Sequence, residues 1–237
     1  MAEPWGRDEP GRDCVLCPPL RFRLNAMADL PGAASVLASD AAFLLMPDLA
    51  PLADGHLLLV TRAHLACAGA FDEPTWERAL RWRDHVAALY RTAYRTADLV
   101  LLEHGPGTPQ GGGACVDHAH WHLLPGVRGV RAAVEGCGPP GTPAPDGSLR
   151  AALAARHRAG RSYLLVGEGG TATVHPGDGV RSQFLRWSVT AASGGPDGPW
   201  RWQETFGLPA SRRRFLRTLR TLRWAPPPGG QPAASHR

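Results

Sequence analysis

Apolar positions along the chain fall into short blocks whose period changes from block to block. "AAFLLMPD" (41–48) and "GHLLLVTRAH" (55–64) are short apolar runs separated by a Pro, Asp and Gly connection, and they read as two strands of an antiparallel pair. Over 73–95 the period lengthens. Trp76, Leu80, Val86, Leu89 and Tyr90 recur near helical spacing, Asp72 stands where an N-cap belongs and Pro74 falls in the first turn, so a helix is predicted. "ADLVLLEHG" (97–105) returns to a strand, the glycine-rich 105–113 to a loop, and "DHAHWHLLP" (117–125) to another strand. Residues 136–149, "GCGPPGTPAPDGSL", read as a linker. Beyond it the pattern predicts a short helix over 150–158, strands at "SYLLVGE" and "TATVHP", a helix beginning near 181 and a basic helix over 211–223. The expected class is α+β. The expected division is a flexible start (1–13), a first domain (14–135), the linker, a small α+β extension (150–224) and a disordered tail (225–237).

With 237 residues the chain can bury a sizeable core. No stretch approaches the roughly 18 uncharged apolar residues of a membrane span, and the first residues lack the basic start and apolar middle of a signal peptide. A cytoplasmic protein without a membrane partner is the expectation. The net charge of +5 says less than it suggests, because the chain has no lysine, no isoleucine and a single asparagine, Asn25. That bias toward G- and C-rich codons explains why every basic residue other than histidine is Arg. In the densest basic run, "SRRRFLRTLRTLR", Leu208, Phe215, Leu216, Leu219 and Leu222 lie near helical spacing, which puts the arginines on a solvated face rather than on a nucleic-acid partner.

Candidate chemistry concentrates in "GGGACVDHAHWHLLPG" (111–126). Side chains two apart on a strand share a face about 7 Å apart, so His118, His120 and His122 form a row, with Ala119, Trp121 and Leu123 on the opposite face. The preceding glycines can offer backbone N–H groups to an anion. A neutral imidazole is a competent nucleophile near pH 7 and can be oriented through its other nitrogen by a backbone carbonyl, which suits His120. The five cysteines (14, 17, 67, 115 and 137) are too few and too odd in number for a disulfide framework, so metal binding or catalysis is the better expectation, with Cys14 and Cys17 the pair to watch.

These residues resemble the histidine-triad (HIT) superfamily of nucleotide hydrolases and transferases. The resemblance covers about residues 14–126: Cys14-Val-Leu-Cys17, "PDLAPLADGHLLLVTRAH", the helix, the loop and the triad. It implies a HIT-like fold and a nucleotide or nucleotide-conjugate substrate. By the same resemblance His120 would attack an α-phosphorus and carry a transient nucleotidyl group, and His122 would hydrogen-bond phosphate oxygens. Asp48, eight residues before His56, would bind the ribose hydroxyls, and Gly113 and Cys115 would belong to the nucleotide-binding loop. Cys14, Cys17, His64 and His118 would hold a structural zinc, a closed Cys2His2 set with no open position for substrate.

The resemblance also leaves open a phosphorylase or other biosynthetic enzyme, a non-catalytic nucleotide-binding zinc protein, and a homodimer formed through the helix and sheet edge. The chain departs from the family at Glu103, where a carboxylate would repel phosphate unless His104 or an arginine offsets it, and at Ala114 and Cys115. "SQFLRW" and "WRWQ" resemble C-terminal extensions of larger triad proteins, including a splicing-associated branch. Gln183, Arg186 and Trp202 there are expected as packing and surface residues, with lining of the substrate cleft the alternative.

Overall fold

The structure is a computed structural model and describes residues 14–18, 20–27, 29–30, 35–108, 116–194, 199–222 and 231–232. Its elements in chain order are α1 (Leu20–Met27), β1 (Ala38–Ser39), β2 (Phe43–Pro47), β3 (Leu57–Thr61), α2 (Glu73–Ala93), β4 (Leu99–Gly105), β5 (His120–Pro125), α3 (Val130–Cys137), β6 (Thr142–Ala144), α4 (Asp146–Arg158), β7 (Tyr163–Glu168), β8 (Thr171–Pro176), α5 (Phe184–Ala192), α6 (Trp202–Thr205), α7 (Pro209–Leu222) and β9 (Gln231–Pro232). The strands form one sheet in the order β6-β8-β7-β4-β5-β3-β2-β1-β9, and every pairing is antiparallel. The fold is α+β, an antiparallel sheet with packed helices, as the strand and helix pattern predicts. The expected flexible start and all of the expected tail except 231–232 lie outside the described residues.

Both faces of the central strands are covered, which is why β2, β3 and β4 read as continuous apolar runs rather than as alternation. On one face Leu57, Leu59, Leu101, Trp121, Leu123 and Leu165 pack beneath α2 and α4. The helix α2 starts where Asp72 accepts a hydrogen bond from the Thr75 N–H, and it buries Trp76, Ala79, Trp82, Val86 and Tyr90. At roughly 2 kcal/mol for each large apolar side chain, this burial outweighs the few tenths per residue that helix propensity contributes. Leu80 and Leu89, expected in the stripe, lie at its partly buried margin. On the other face Val100, Leu102, Leu124, Leu164 and Val166 pack against α3 and α5, while Met46, Leu58 and Val60 pack against Leu16 of the N-terminal segment. That segment and α5 therefore flank the face that carries His120 and His122.

The expected boundary at 136–149 is not where the sheet divides. These residues hold the end of α3, all of β6 and the start of α4, and β7 pairs with β4 from Leu101↔Gly167 to Gly105↔Tyr163. The strands β6, β7 and β8 join the same sheet as β1 to β5. Pro143 is accommodated because β6 lies at the sheet edge, where proline is tolerated. The basic helix is present, and its arginines turn to protein: Arg217 pairs with Asp54 at 2.6 Å, Arg214 donates to the Pro51 carbonyl and Arg212 pairs with Asp29.

Glu103 lies on the α2/α4 face, buried at 2 % exposure, with Oε1 accepting from the Ala68 N–H at 2.8 Å and Oε2 from the Tyr163 hydroxyl at 2.6 Å. Tyr163 can cross β4 because position 105 is glycine; a Cβ there would stand 2.2 Å from the tyrosine ring. Burial pushes the Glu103 carboxyl up to about 7, against the hydrogen bonds from Tyr163 and Ala68 that favour its charge. A carboxyl raised on folding binds its proton more tightly in the native state, so stability is lost as pH rises through its unfolded and then its folded value. Between pH 4 and pH 8 the wild type is expected to lose on the order of 3 kcal/mol more unfolding free energy than Glu103→Gln. Urea denaturation at the two pH values measures this, and parallel pH profiles for the two proteins would refute it.

Candidate functional site

The three histidines do not stay in one row. His118 precedes β5, where the Ala119 N–H bonds the Leu65 carbonyl and the Thr61 N–H bonds the Ala119 carbonyl. Its ring turns toward the N-terminal thiols, with Nδ1 3.5 Å from Cys14 Sγ and 3.3 Å from Cys17 Sγ. Cys17 Sγ also lies 3.5 Å from His64 Nδ1, and the four donor atoms of Cys14, Cys17, His64 and His118 all fall within 4.8 Å of one another. Zinc bonds of about 2.3 Å to sulfur and 2.0–2.1 Å to nitrogen at tetrahedral angles give sulfur–nitrogen edges of about 3.6 Å, close to these spacings. His118 Nε2 donates to the Thr61 carbonyl at 2.7 Å, which leaves Nδ1 as the lone-pair nitrogen facing the thiols. The four residues could hold a metal ion, and they fit the donor set expected from the sequence.

His120 and His122 stay on the strand and share the face of Val60 and of Leu58 and Leu102, their paired neighbours. His120 Nδ1 sits 2.6 Å from the His118 carbonyl, so that nitrogen carries the proton and Nε2 keeps its lone pair. Burial lowers His120 to about 3, helped by His122, so the ring is neutral at pH 7. The orientation of His122 comes from farther back. The Leu52 N–H donates to His56 Nδ1 at 3.2 Å, so His56 is protonated on Nε2, which lies 2.9 Å from His122 Nδ1. A neutral His122 accepts there and carries its own proton on Nε2, ready to donate. Burial holds His56 well below its usual value, with the neighbouring Asp48 only partly opposing, so the chain Leu52–His56–His122 keeps one direction.

Asp48 lies under both rings, its Oδ2 3.6 Å from His56 Nε2 and 3.5 Å from His122 Nδ1. The ribose role implied by the resemblance falls on a carboxylate that already has partners in the fold. Oδ1 already accepts from the Ala50 N–H at 2.7 Å, Oδ2 accepts from Arg186 at 3.0 Å, and only 6 % of the side chain is exposed. Burial works against the Asp48 charge, yet Arg186 and the imidazoles hold it well below the usual carboxylate range. The trio Asp48, His56 and His122 has donors close enough for a metal ion, but its two nitrogens already share a hydrogen bond and the Arg186 guanidinium supplies the cation.

Arg186 reaches the site from α5, with Nε on the Trp200 carbonyl at 2.9 Å and the second terminal nitrogen on the Ala50 carbonyl at 2.5 Å. With Trp202, His120 and His122 it lines a cavity of about 70 Å3 whose other walls include Leu16, Leu49 and Leu58. Arg186 and Trp202 therefore do face the cleft, against the packing role expected of them, while Gln183 ties Trp202 in place by accepting from its backbone N–H at 2.8 Å. The sequence shows His56 only as the end of the spacing from Asp48, and Arg186 as a packing residue with the cleft as its alternative; the structure brings both to Asp48. Glu103 needs correcting too. It points away from the histidines to the other face of the sheet, and His104, bonded to the Ser162 hydroxyl at 3.2 Å, takes the histidine side. Gly113, Ala114 and Cys115 lie outside the described residues.

A family model described as "Protein similar to CwfJ C-terminal" matches residues 23–126. Among solved structures, a Hit-like protein involved in cell-cycle regulation from Bartonella henselae is similar at 15 % identity over 51 % of this chain and 86 % of that one, with a TM-score of 0.38. A member of the HIT family from Bacillus subtilis is similar at 18 % identity over 48 % of this chain and 73 % of that one, with a TM-score of 0.36. Yeast Ap4A phosphorylase, solved with AMP, is similar at 17 % identity with a TM-score of 0.37, over 58 % of this chain and 57 % of that one. No curated protein matches the sequence.

The ion pair generates a stability test. Arg186→Met strands a buried carboxylate and is expected to cost about 3–5 kcal/mol, whereas Asp48→Asn combined with Arg186→Met recovers most of the loss because no charge remains unpaired. Urea denaturation of the single and double variants measures the coupling. Strictly additive losses would show that the two side chains act independently.

Proposed function

We propose that the chain is a nucleotide hydrolase or nucleotidyltransferase of the histidine-triad type that works at an α-phosphate through a covalent nucleotidyl group on His120. The hydrogen bond of 2.6 Å from His120 Nδ1 to the His118 carbonyl carries this reading, because it presents the Nε2 lone pair of a neutral ring on the cavity side of the sheet. In the first step Nε2 forms a bond to phosphorus, the bond to the leaving group breaks, and the leaving group departs with the electron pair. In the second step water or another acceptor oxygen attacks the same phosphorus, losing a proton as the nitrogen–phosphorus bond breaks and restores His120. His122, protonated on Nε2 through the His56 relay, donates to a phosphate oxygen and stabilises charge as it builds. Arg186 offsets Asp48, so the floor of the pocket does not repel an anion. Gly113 and Cys115 complete the anion-binding loop on this reading.

The cavity of about 70 Å3 is well below the roughly 300–1,000 Å3 of ligand pockets, so a nucleotide enters by displacing the wall formed by Trp202 and the N-terminal Val15 and Leu16. We assign the Cys14, Cys17, His64 and His118 group to structural zinc. The metal would tie the N-terminal segment to the start of the histidine strand and hold the His118 carbonyl where His120 needs it, without touching substrate.

Two experiments follow from this assignment. The wild type mixed with an activated nucleotide and quenched in base is expected to carry a nucleotidyl adduct on the 118–122 peptide by mass spectrometry, and His120→Ala is expected to lose several orders of magnitude in turnover while keeping its fold. An adduct on another residue, or full turnover by His120→Ala, overturns the mechanism. Elemental analysis is expected to find about one zinc per chain, and Cys17→Ser to lower the melting temperature sharply, since structural zinc in small domains contributes on the order of 10 kcal/mol to folding. A metal-free protein of equal stability rules the assignment out.

A further inference from the structure

We propose that a second, anion-binding subsite lies outside the histidine pocket, built on Arg181 and the indoles of Trp187 and Trp200, and that it takes phosphate groups on the leaving half of the substrate. The inference rests on the nucleotidyl-transfer reading and adds to it that the leaving group itself bears phosphate.

The subsite begins with a stack. The Arg181 guanidinium carbon stands 4.6 Å from the Trp187 ring centroid and 5.3 Å from that of Trp200, and Phe184 stacks on Trp187 at 5.6 Å with an interplanar angle of 18°. Arg201 approaches the same Trp200 at 5.1 Å. A guanidinium held against aromatic faces uses its flat sides for that contact and keeps its N–H edge free for a planar or tetrahedral oxyanion. No salt bridge engages Arg181 among the described residues, although it is exposed. The acid beside it, Asp178, is already committed, pairing with Arg161 at 2.9 Å and accepting from the Ser162 N–H at 3.1 Å. Among the described residues the local balance is therefore a preorganised cation without an ion-pair partner.

Space and continuity point to what fills it. Arg181, Phe184 and Trp187 line a cleft of about 730 Å3, large enough for a phosphorylated ligand, whereas the histidine cavity holds about 70 Å3. Arg181 and Arg201 also share a neighbouring cleft with Gln183, Gln203 and Glu204, the last pairing with Arg201 at 3.7 Å. Gln183 accepts from the Trp202 N–H at 2.8 Å and donates to Gln203 Oε1 at 2.7 Å, and Trp202 is a wall of the histidine pocket. Gln183 holds a left-handed backbone conformation, φ 60°, unusual for a residue with a side chain, and these two bonds help keep it there. Arg186 fastens the same stretch from below through the Trp200 carbonyl. Trp202, bonded to Gln183, and Arg181, which shares a cleft with Gln183, thus link the wall of the histidine pocket to the stack. The N–H edge of Arg181 matches a phosphate group, which an arginine can hold in bidentate fashion.

The test compares two substrates that share one nucleotidyl group, an adenosine phosphoramidate with an uncharged leaving group and diadenosine tetraphosphate with a phosphate-bearing one. Arg181→Gln is expected to raise KM for the tetraphosphate at least tenfold and to leave kcat/KM for the phosphoramidate within twofold. Equal effects on both substrates, or none on either, overturn the subsite. If the wild type turns over neither, the nucleotidyl-transfer reading fails, and binding of inorganic tripolyphosphate by calorimetry then decides the subsite alone. Binding that weakens at least tenfold in Arg181→Gln supports it, and absent or unchanged binding overturns it.

Discussion

A carboxylate taken almost entirely out of water remains charged only if other groups replace the water, and that requirement at Asp48 organises the histidine face. Arg186 meets it from α5 and the Ala50 N–H from the chain next door, while His56 and His122 crowd the same oxygen. Because Arg186 is itself buried, its remaining donors need acceptors too, and it finds them on the carbonyls of Ala50 and Trp200. One buried charge thus binds three separate stretches: the β2–β3 connection, α5 and the segment that leads into α6. Such a pair adds little net stability over an apolar equivalent but is costly to break, which makes it a device for holding geometry.

The geometry it holds is that of two imidazoles with opposite tautomers. On β5 the alternation of side chains gives Trp121 and Leu123 to the core and His120 and His122 to the cavity. Each ring then has its tautomer set by a different backbone group: His120 by the carbonyl of His118, His122 through His56 by the N–H of Leu52. Backbone groups are reliable for this purpose because sheet pairing and the turn fix their positions. An unprotonated nitrogen on one ring and a protonated one on its neighbour, 5.0 Å away between ring centroids, suit attack at a centre that carries negative oxygens.

The C-terminal residues change what this face can accept. They extend the sheet through β7 and then return over the histidines, so that the pocket is closed by Trp202 and floored by Arg186. The stack of Arg181 on Trp187 and Trp200 lies along the same return. A basic balance that looked like a by-product of codon bias is used in two places: α7 spends several arginines on neighbouring carboxylates and carbonyls, and the turn before α5 leaves Arg181 free of such partners among the described residues.

The sequence by itself determined what depends on near neighbours: the period of α2, the cap at Asp72, the paired runs at β2 and β3, and the two-residue step that sends His120 and His122 to one side of a strand. Backbone geometry repeats every two or 3.6 residues, so such features are written in the local order of apolar and polar positions. The Cys14 and Cys17 pair with His64 and His118 was also legible, through its resemblance to a spaced motif. Only the tertiary structure decided which side of the sheet Glu103 faces, whether 136–149 separates two units, and what neutralises Asp48. The arginine that does so is 138 residues away along the chain, and no periodicity connects the two positions. Such partners are chosen by the exclusion of water from a buried charge, which acts on whatever the folded chain brings within about 3 Å.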